Sequence, residues 1–228
     1  MKRLVTLSAA AIFAALLIDV LLDLPAAALD LRALLAEAMP ASGVAHPVTA
    51  VLLNTRGYDT LLEIAVLLVA LLGVVISSAR TNLSSDPGRT PASHVAIDAD
   101  PMVSALARLV TPLAVIFAIY VLWAGAHRPG GAFQAAAILA AALVLLHFAR
   151  IVPACTAPSC RLRVAAVAGF AIFLVIAAIP LAGGALLQYP PAAAGLLILA
   201  IESGLTVSLA LVLAGLFLLL ADDAGGRQ

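Results

Sequence analysis

The chain has 228 residues, 64% of them hydrophobic, 11% charged and 5% aromatic, with a formal net charge of zero. Its mean hydropathy is +1.18. A soluble domain averages roughly 45–50% apolar and about 25% charged residues, and at this length much of so apolar a surface would be left in water. The solvent of this chain is therefore lipid. That excludes a soluble enzyme, a disordered tail and a disulfide-rich secreted domain, and the balanced charge gives no footprint for nucleic acid.

A helix crosses a bilayer with roughly 20 mostly apolar residues. Six stretches qualify, at about 4–24, 61–79, 104–124, 132–150, 163–182 and 194–220. They are continuous Ala/Leu-rich runs without the alternation of a barrel strand, so the expected fold class is all-α: a polytopic membrane protein with six transmembrane helices. Cytoplasmic segments carry the excess of Lys and Arg. With the N-terminus inside, the inner segments hold Lys2, Arg3, Arg80, Arg89, Arg108, Arg150, Arg161, Arg163 and Arg227, and the outer ones only Arg32, Arg56 and Arg128. Both termini are expected to be cytoplasmic.

Lys2-Arg3 followed by an apolar run imitates a signal peptide, with Ala26-Ala27-Ala28 as a cleavage region. The length of the run and Asp19 near its outer end favour a retained span instead. Asp19 either reaches the headgroups or serves an ion path. Residues 25–60 form a long outer connection in which Ala26 to Met39 reads as a short amphipathic helix on the membrane surface, broken by Pro40, Gly43 and Pro47. Thr60-Leu61-Leu62-Glu63 fits a capping box at the start of the second span, with Asp59 adding negative charge at the positive helix end. The other reading of Glu63 and Asp59 is as carboxylates at the membrane margin, placed to collect cations.

Residues 81–101 are polar and rich in Ser, Asp, Pro and Gly, as a linker is. The chain divides there into a two-helix unit (1–80) and a four-helix unit (102–228). No internal repeat or inverted pair of broken helices relates the two, as would be expected of many self-contained transporters. Between the third and fourth spans, Arg128-Pro129-Gly130-Gly131 permits a tight reversal. His147, at the inner end of the fourth span, has a side chain suited to proton transfer, or is an ordinary interfacial histidine beside Arg150. Cys155 and Cys160 lack the further ligands of a zinc site, and a reducing cytoplasm argues against a disulfide. No metal and no cofactor is expected.

Glu202 is the sharpest feature. It interrupts the last span in Leu199-Ala200-Ile201-Glu202-Ser203-Gly204-Leu205-Thr206. An ionisable group near the centre of a spanning helix costs roughly 2.5–3.5 kcal/mol on insertion scales and marks a functional site by default. It reads either as a proton or cation relay, or as a buried anchor between helices that Ser203, Gly204 and Ser208 let approach closely. There is no phosphate-binding loop and no nucleophile with a base in sequence context, so the chain is not expected to be catalytic by itself.

Two segments carry a family likeness. Asn54-Thr55-Arg56-Gly57-Tyr58-Asp59-Thr60-Leu61-Leu62-Glu63-Ile64, followed by an apolar helix ending near Gly73, resembles the Arg-Gly-Phe/Tyr-Asp-Thr-x-x-Glu signature of the E-type subunit of membrane-bound hydrogenases. The same unit ends the large A subunit of Mrp-type multisubunit Na⁺/H⁺ antiporters. Residues 102–220 resemble the Mrp B subunit, the MnhB domain, through Arg128-Pro129-Gly130-Gly131-Ala132-Phe133-Gln134 and Glu202-Ser203-Gly204-Leu205-Thr206-Val207. Ala132 stands where that motif has a third glycine. The resemblance implies a fused E-plus-B membrane subunit of a cation/proton antiporter module in the inner membrane of a prokaryote. Its implied partners are large antiporter-like subunits, a small C-type subunit and, in some systems, a hydrogenase-like redox arm related to respiratory complex I. The ion path would use Glu202, Glu63 and Asp59, with Asp19 and His147 as further candidates. The other readings are a purely structural scaffold subunit and a small stand-alone transporter.

Overall fold

The computed structural model describes residues 2–23, 30–84, 100–152, 160–183, 186–187 and 189–225. Among these every regular element is helical. Two compact units separate at Glu37/Ala38. In the first, α1 (Lys2–Leu22) is apolar, and its side chains from Leu7 onward, Asp19 included, are exposed. The expected cleavage region at Ala26–Ala28, most of the expected linker (Ser85-Asp86-Pro87-Gly88 among it) and Cys155 lie outside the described residues.

Helix α2 (Leu31–Ser42) begins where the Asp30 carboxylate accepts the N–H groups of Arg32 and Ala33, at 3.0 and 3.3 Å, an N-cap. The expected break at Pro40 does not occur. Pro40 sits inside the last turn, where only one helical hydrogen bond is forfeited. A short helix, α3 (Pro47–Ala50), then runs into one π-helical turn, Val51–Thr55. Helix α4 (Gly57–Ser84) follows and passes straight through Gly73, past the expected end, into the expected linker range. Its onset at Gly57 also removes the expected capping box. Thr60 already lies inside the helix, and its hydroxyl donates instead to Leu52 O at 2.6 Å.

The remaining helices are α5 (Pro101–Ala124), α6 (Ala132–Phe148), α7 (Cys160–Ala178) and α8 (Pro191–Gly225), with a 3-10 turn at Ile179–Gly183 after α7. Asp100 caps α5 through Met102 N–H at 2.9 Å, and Pro101 occupies the first helical position, where its missing N–H costs nothing. α1 and α4–α8 fall on the six apolar stretches expected. Four of them are long and apolar enough to cross a membrane: 57–77, 101–124, 161–181 and 191–221. Shorter apolar stretches occupy Leu7–Leu22 and Ala132–Phe148.

α8 is the hub. It packs on α7, α6 and α4, while α6 packs on α5. α6 runs parallel to α8: Ala132 lies beside Glu202, and Phe148 meets Phe217 edge to face with ring centroids 6.3 Å apart. α5 is antiparallel to α6, with Ser104 Oγ donating to Ala149 O at 3.2 Å. α7 is antiparallel to α8: Ser208 Oγ donates to Ala166 O, and a Cβ on Gly169 would stand 2.6 Å from Gly204 O. This close crossing bears out two of the three small residues expected to permit it. Ser203 is exposed and turns its hydroxyl back to Leu199 O at 2.7 Å.

Candidate functional site

The site begins with the way α5 stops. Gly125 N–H donates to Val121 O at 3.2 Å, and Gly131 N–H donates to the same carbonyl at 3.1 Å, so the turn folds back on the last turn of α5. A Cβ on Gly125 would stand 2.7 Å from both Cα and N of Gly131. Gly131 opens α6 at φ +112°, which side chains rarely tolerate. The Pro129-Gly130-Gly131 reversal is therefore a turn, as its sequence suggests, and one closed tightly enough to bring a helix N-terminus to a defined point.

Glu202 sits at that point. It is only 7% exposed. A Cβ on Gly131 would meet its Oε1 at 2.7 Å, and the N–H of Ala132 donates to its carboxylate. The first N–H groups of a helix have no partner within it and carry a partial positive charge. Gly131 has no side chain to cap them, so a carboxylate from α8 takes the cap's place. Thr206 Oγ1 donates to Glu202's own carbonyl at 2.7 Å. Gln134 is exposed, its Oε1 3.9 Å from the same point on Gly131. The arrangement can hold a negative charge at one end of the α6–α8 seam, close to polar groups at the surface.

Two expected features thus become one site, because Glu202 and the Arg128-Pro129-Gly130-Gly131 turn touch. Phe133 is half-buried against the core beside them. The other candidates lie apart. Asp59 pairs with Arg56 on the surface at the start of α4, their side chains 47% and 69% exposed. Tyr58 and Glu63 are exposed, whereas Gly57 is buried against Leu187. His147 is near the far end of α6, its Nδ1 buried with no hydrogen-bond partner. Beyond Thr206, whose hydroxyl is spent on its own helix, the seam between Glu202 and His147 is apolar: Ala136, Leu139, Leu143, Leu205 and Leu209. Among the described residues no group of three His, Cys, Asp or Glu could share a metal ion.

Sequence reasoning missed two residues at this end of the molecule. Tyr189, between α7 and α8, is 4% exposed with no partner for its hydroxyl, and burial pushes its phenol up to about 12. Thr49, on α3, is buried and donates to Gly125 O at 2.6 Å. Neither stood out, since a Tyr before Pro-Pro and a Thr in an apolar run are ordinary. Pro47, read only as a breaker, was the one signal that a helix starts there.

Residues 102–221 match the family described as a domain related to the MnhB subunit of Na⁺/H⁺ antiporter. No curated protein sequence matches the chain. Its fold is similar to a chain of the membrane-bound sulfane sulfur reductase, an archaeal respiratory membrane complex, with TM-score 0.66, 22% identity and coverage of 96% of this chain and 97% of that one. It is also similar to a chain of the Mrp complex from Dietzia sp. DQ12-45-1b, with TM-score 0.68 and 23% identity over 96% of this chain. There it spans about a quarter of the longer chain, 26%. The family match covers more than half of the sequence, including the turn at Gly131 and its partner Glu202, and the chain belongs to the MnhB family as a membrane subunit of a multisubunit antiporter-type complex.

Proposed function

We propose that this subunit joins a two-helix E-type unit (1–80) to a four-helix MnhB-like unit (102–228), and that Glu202 exchanges a cation or proton with neighbouring subunits of a Na⁺/H⁺ antiporter module. The observation that carries the reading is the seating of the Glu202 carboxylate on the N-terminus of α6, within reach of exposed Gln134. A carboxylate in an apolar bundle is costly. Here its charge is offset by the α6 N-terminus rather than by a basic side chain, so it stays available to a cation. Exposed Glu63 and half-buried Asp59, the latter paired with Arg56, lie on the first two turns of α4 and would gather cations at the same end of the bundle. The apolar seam beyond Glu202 argues against passage lengthwise through this chain. The route would turn sideways into partners, and His147 would join it only through a partner's polar groups. Asp19 on α1 is a further surface carboxylate of the same kind.

Six apolar helices, with α4, α6 and α8 parallel and α5 and α7 opposed to them, support six crossings through the inner membrane of a prokaryote. The excess of basic residues supports both termini in the cytoplasm. The similar chains in an Mrp complex and in an archaeal respiratory complex support partners of the large antiporter-like and small C-type kinds, with or without a hydrogenase-like redox arm. The Ala132 N–H bond favours a second reading, in which Glu202 only caps α6. Glu202→Gln separates the two in complex purified through a tag on Gln228, checked for subunit composition by mass spectrometry and reconstituted in vesicles. A relay loses antiport by on the order of tenfold or more while the complex assembles. A cap keeps it, since the Gln carbonyl still accepts from Ala132.

A further inference from the structure

We propose that Thr49 is a positioning residue for Glu202, acting through the α5–α6 turn; the inference rests on the reading of Glu202 given above. A threonine on a helix commonly turns its hydroxyl back to a carbonyl one turn earlier on its own helix. Thr49 does not. Its hydroxyl crosses to Gly125 O at 2.6 Å, a buried bond between segments distant in sequence. Gly125 is the residue after α5, where the last helical carbonyls lack intrahelical donors. Thr49 therefore satisfies a buried acceptor that nothing local supplies.

From Gly125 the contact runs on in series. Gly125 stacks on Gly131 with no room for a Cβ between them, and Gly131 lies against Glu202 Oε1 with no room for a Cβ there either. Thr49, Gly125, Gly131 and Glu202 thus form one chain of close contacts from α3 to the carboxylate. The origin of that chain is itself fixed. Asn54 Nδ2 donates to Ser42 O at 3.0 Å, and Thr60 Oγ1 donates to Leu52 O at 2.6 Å, which ties the α3 segment to the end of α2 and the start of α4. Ala50 and Leu53 beside it are buried at 0% and 4% exposure. Without the hydroxyl, Gly125 O would be buried and unpaired, and the turn would shift to find a donor. Any such shift moves the Ala132 N–H relative to the carboxylate it serves.

The test is antiport by the reconstituted full complex carrying Thr49→Val, Thr49→Ser or Glu202→Gln, measured against pH and cation concentration. Thr49→Val keeps the shape and removes the donor. It is expected to raise the half-saturating cation concentration about three- to tenfold and to displace the pH profile, with subunit composition unchanged. Thr49→Ser is expected to restore both curves. Wild-type curves for Thr49→Val overturn the inference, as does a Ser variant as impaired as the Val variant, because then the methyl group and not the hydroxyl matters. If Thr49→Val fails to assemble, the contrast between Thr49→Ser and Thr49→Ala decides in the same way. Glu202→Gln separates the two claims. Normal antiport in that variant sinks the relay reading, whereas its loss beside a silent Thr49→Val sinks only the positioning role.

Discussion

The two ends of the α6–α8 seam, marked by Glu202 and His147, are built in opposite ways. At the α5–α6 turn, Glu202 is enclosed by backbone: Gly131 against its oxygen, Ala132 N–H on its carboxylate, and Gly125 held behind them by Thr49. At the other end, His147 has an unpartnered ring nitrogen. The neighbouring surface is an open apolar groove of about 480 Å³ lined by residues such as Ala140, Val144, Phe148, Leu213 and Phe217. The difference teaches that a polar residue in a membrane bundle is informative in proportion to what the backbone does around it. A histidine at a helix end needs no special architecture, whereas a carboxylate seated on a helix N-terminus requires a turn closed to within a methyl group.

The strongest way to break this contrast is Gly131→Ala. The methyl group would stand 2.7 Å from Glu202 Oε1, on a backbone at φ +112°. Strain of this kind costs on the order of 1–3 kcal/mol, and the carboxylate must leave its place. Loss of antiport exceeding that of Thr49→Val is expected, together with a lower melting temperature of the purified complex. His147→Gln sharpens the contrast from the other side. With an apolar seam between it and Glu202, antiport should change by less than about threefold. A loss comparable to Glu202→Gln would show that partner groups bridge the gap. Tyr189→Phe should do least. Its phenol, pushed up to about 12 by burial, stays neutral at any physiological pH, so the pH profile should not move. Deleting an unpaired buried hydroxyl should leave stability unchanged or raise it by about 1 kcal/mol, measurable by thermal unfolding of the complex.

The long helices were legible because an apolar run of spanning length permits little else in lipid. α5 nevertheless starts at Asp100-Pro101, inside the stretch expected to be linker. What was illegible is non-local. Nothing in Glu202-Ser203-Gly204 says that the residue across from it is Gly131, and nothing in Val48-Thr49-Ala50 says that the threonine reaches α5. The Thr60–Glu63 pattern misled because the helix starts earlier, at Gly57, which packs on Leu187. Pro40 misled because a proline near the end of a helix forfeits too little to stop it. Local signals fix where helices are, and close backbone approaches decide which of their polar residues meet.

The length of α8 has a consequence for the electrical side of transport. It has 35 residues, 31 of them in one apolar stretch, whereas about 20 suffice to cross a bilayer. Glu202 follows about 16 Å of helix, level with the first residue of α6, which is itself only 17 residues long. Were α6 to cross the bilayer despite falling short of that length, Glu202 would lie toward the margin on the side of the α5–α6 turn. Crossing the whole membrane potential changes the energy of a unit charge by about 2.3 kcal/mol per 100 mV. In that setting a cation arriving from the side of the α5–α6 turn would meet little of that drop before it reached the carboxylate. Occupancy of Glu202 would then follow the local ion concentration and pH, and voltage would act on the steps beyond it.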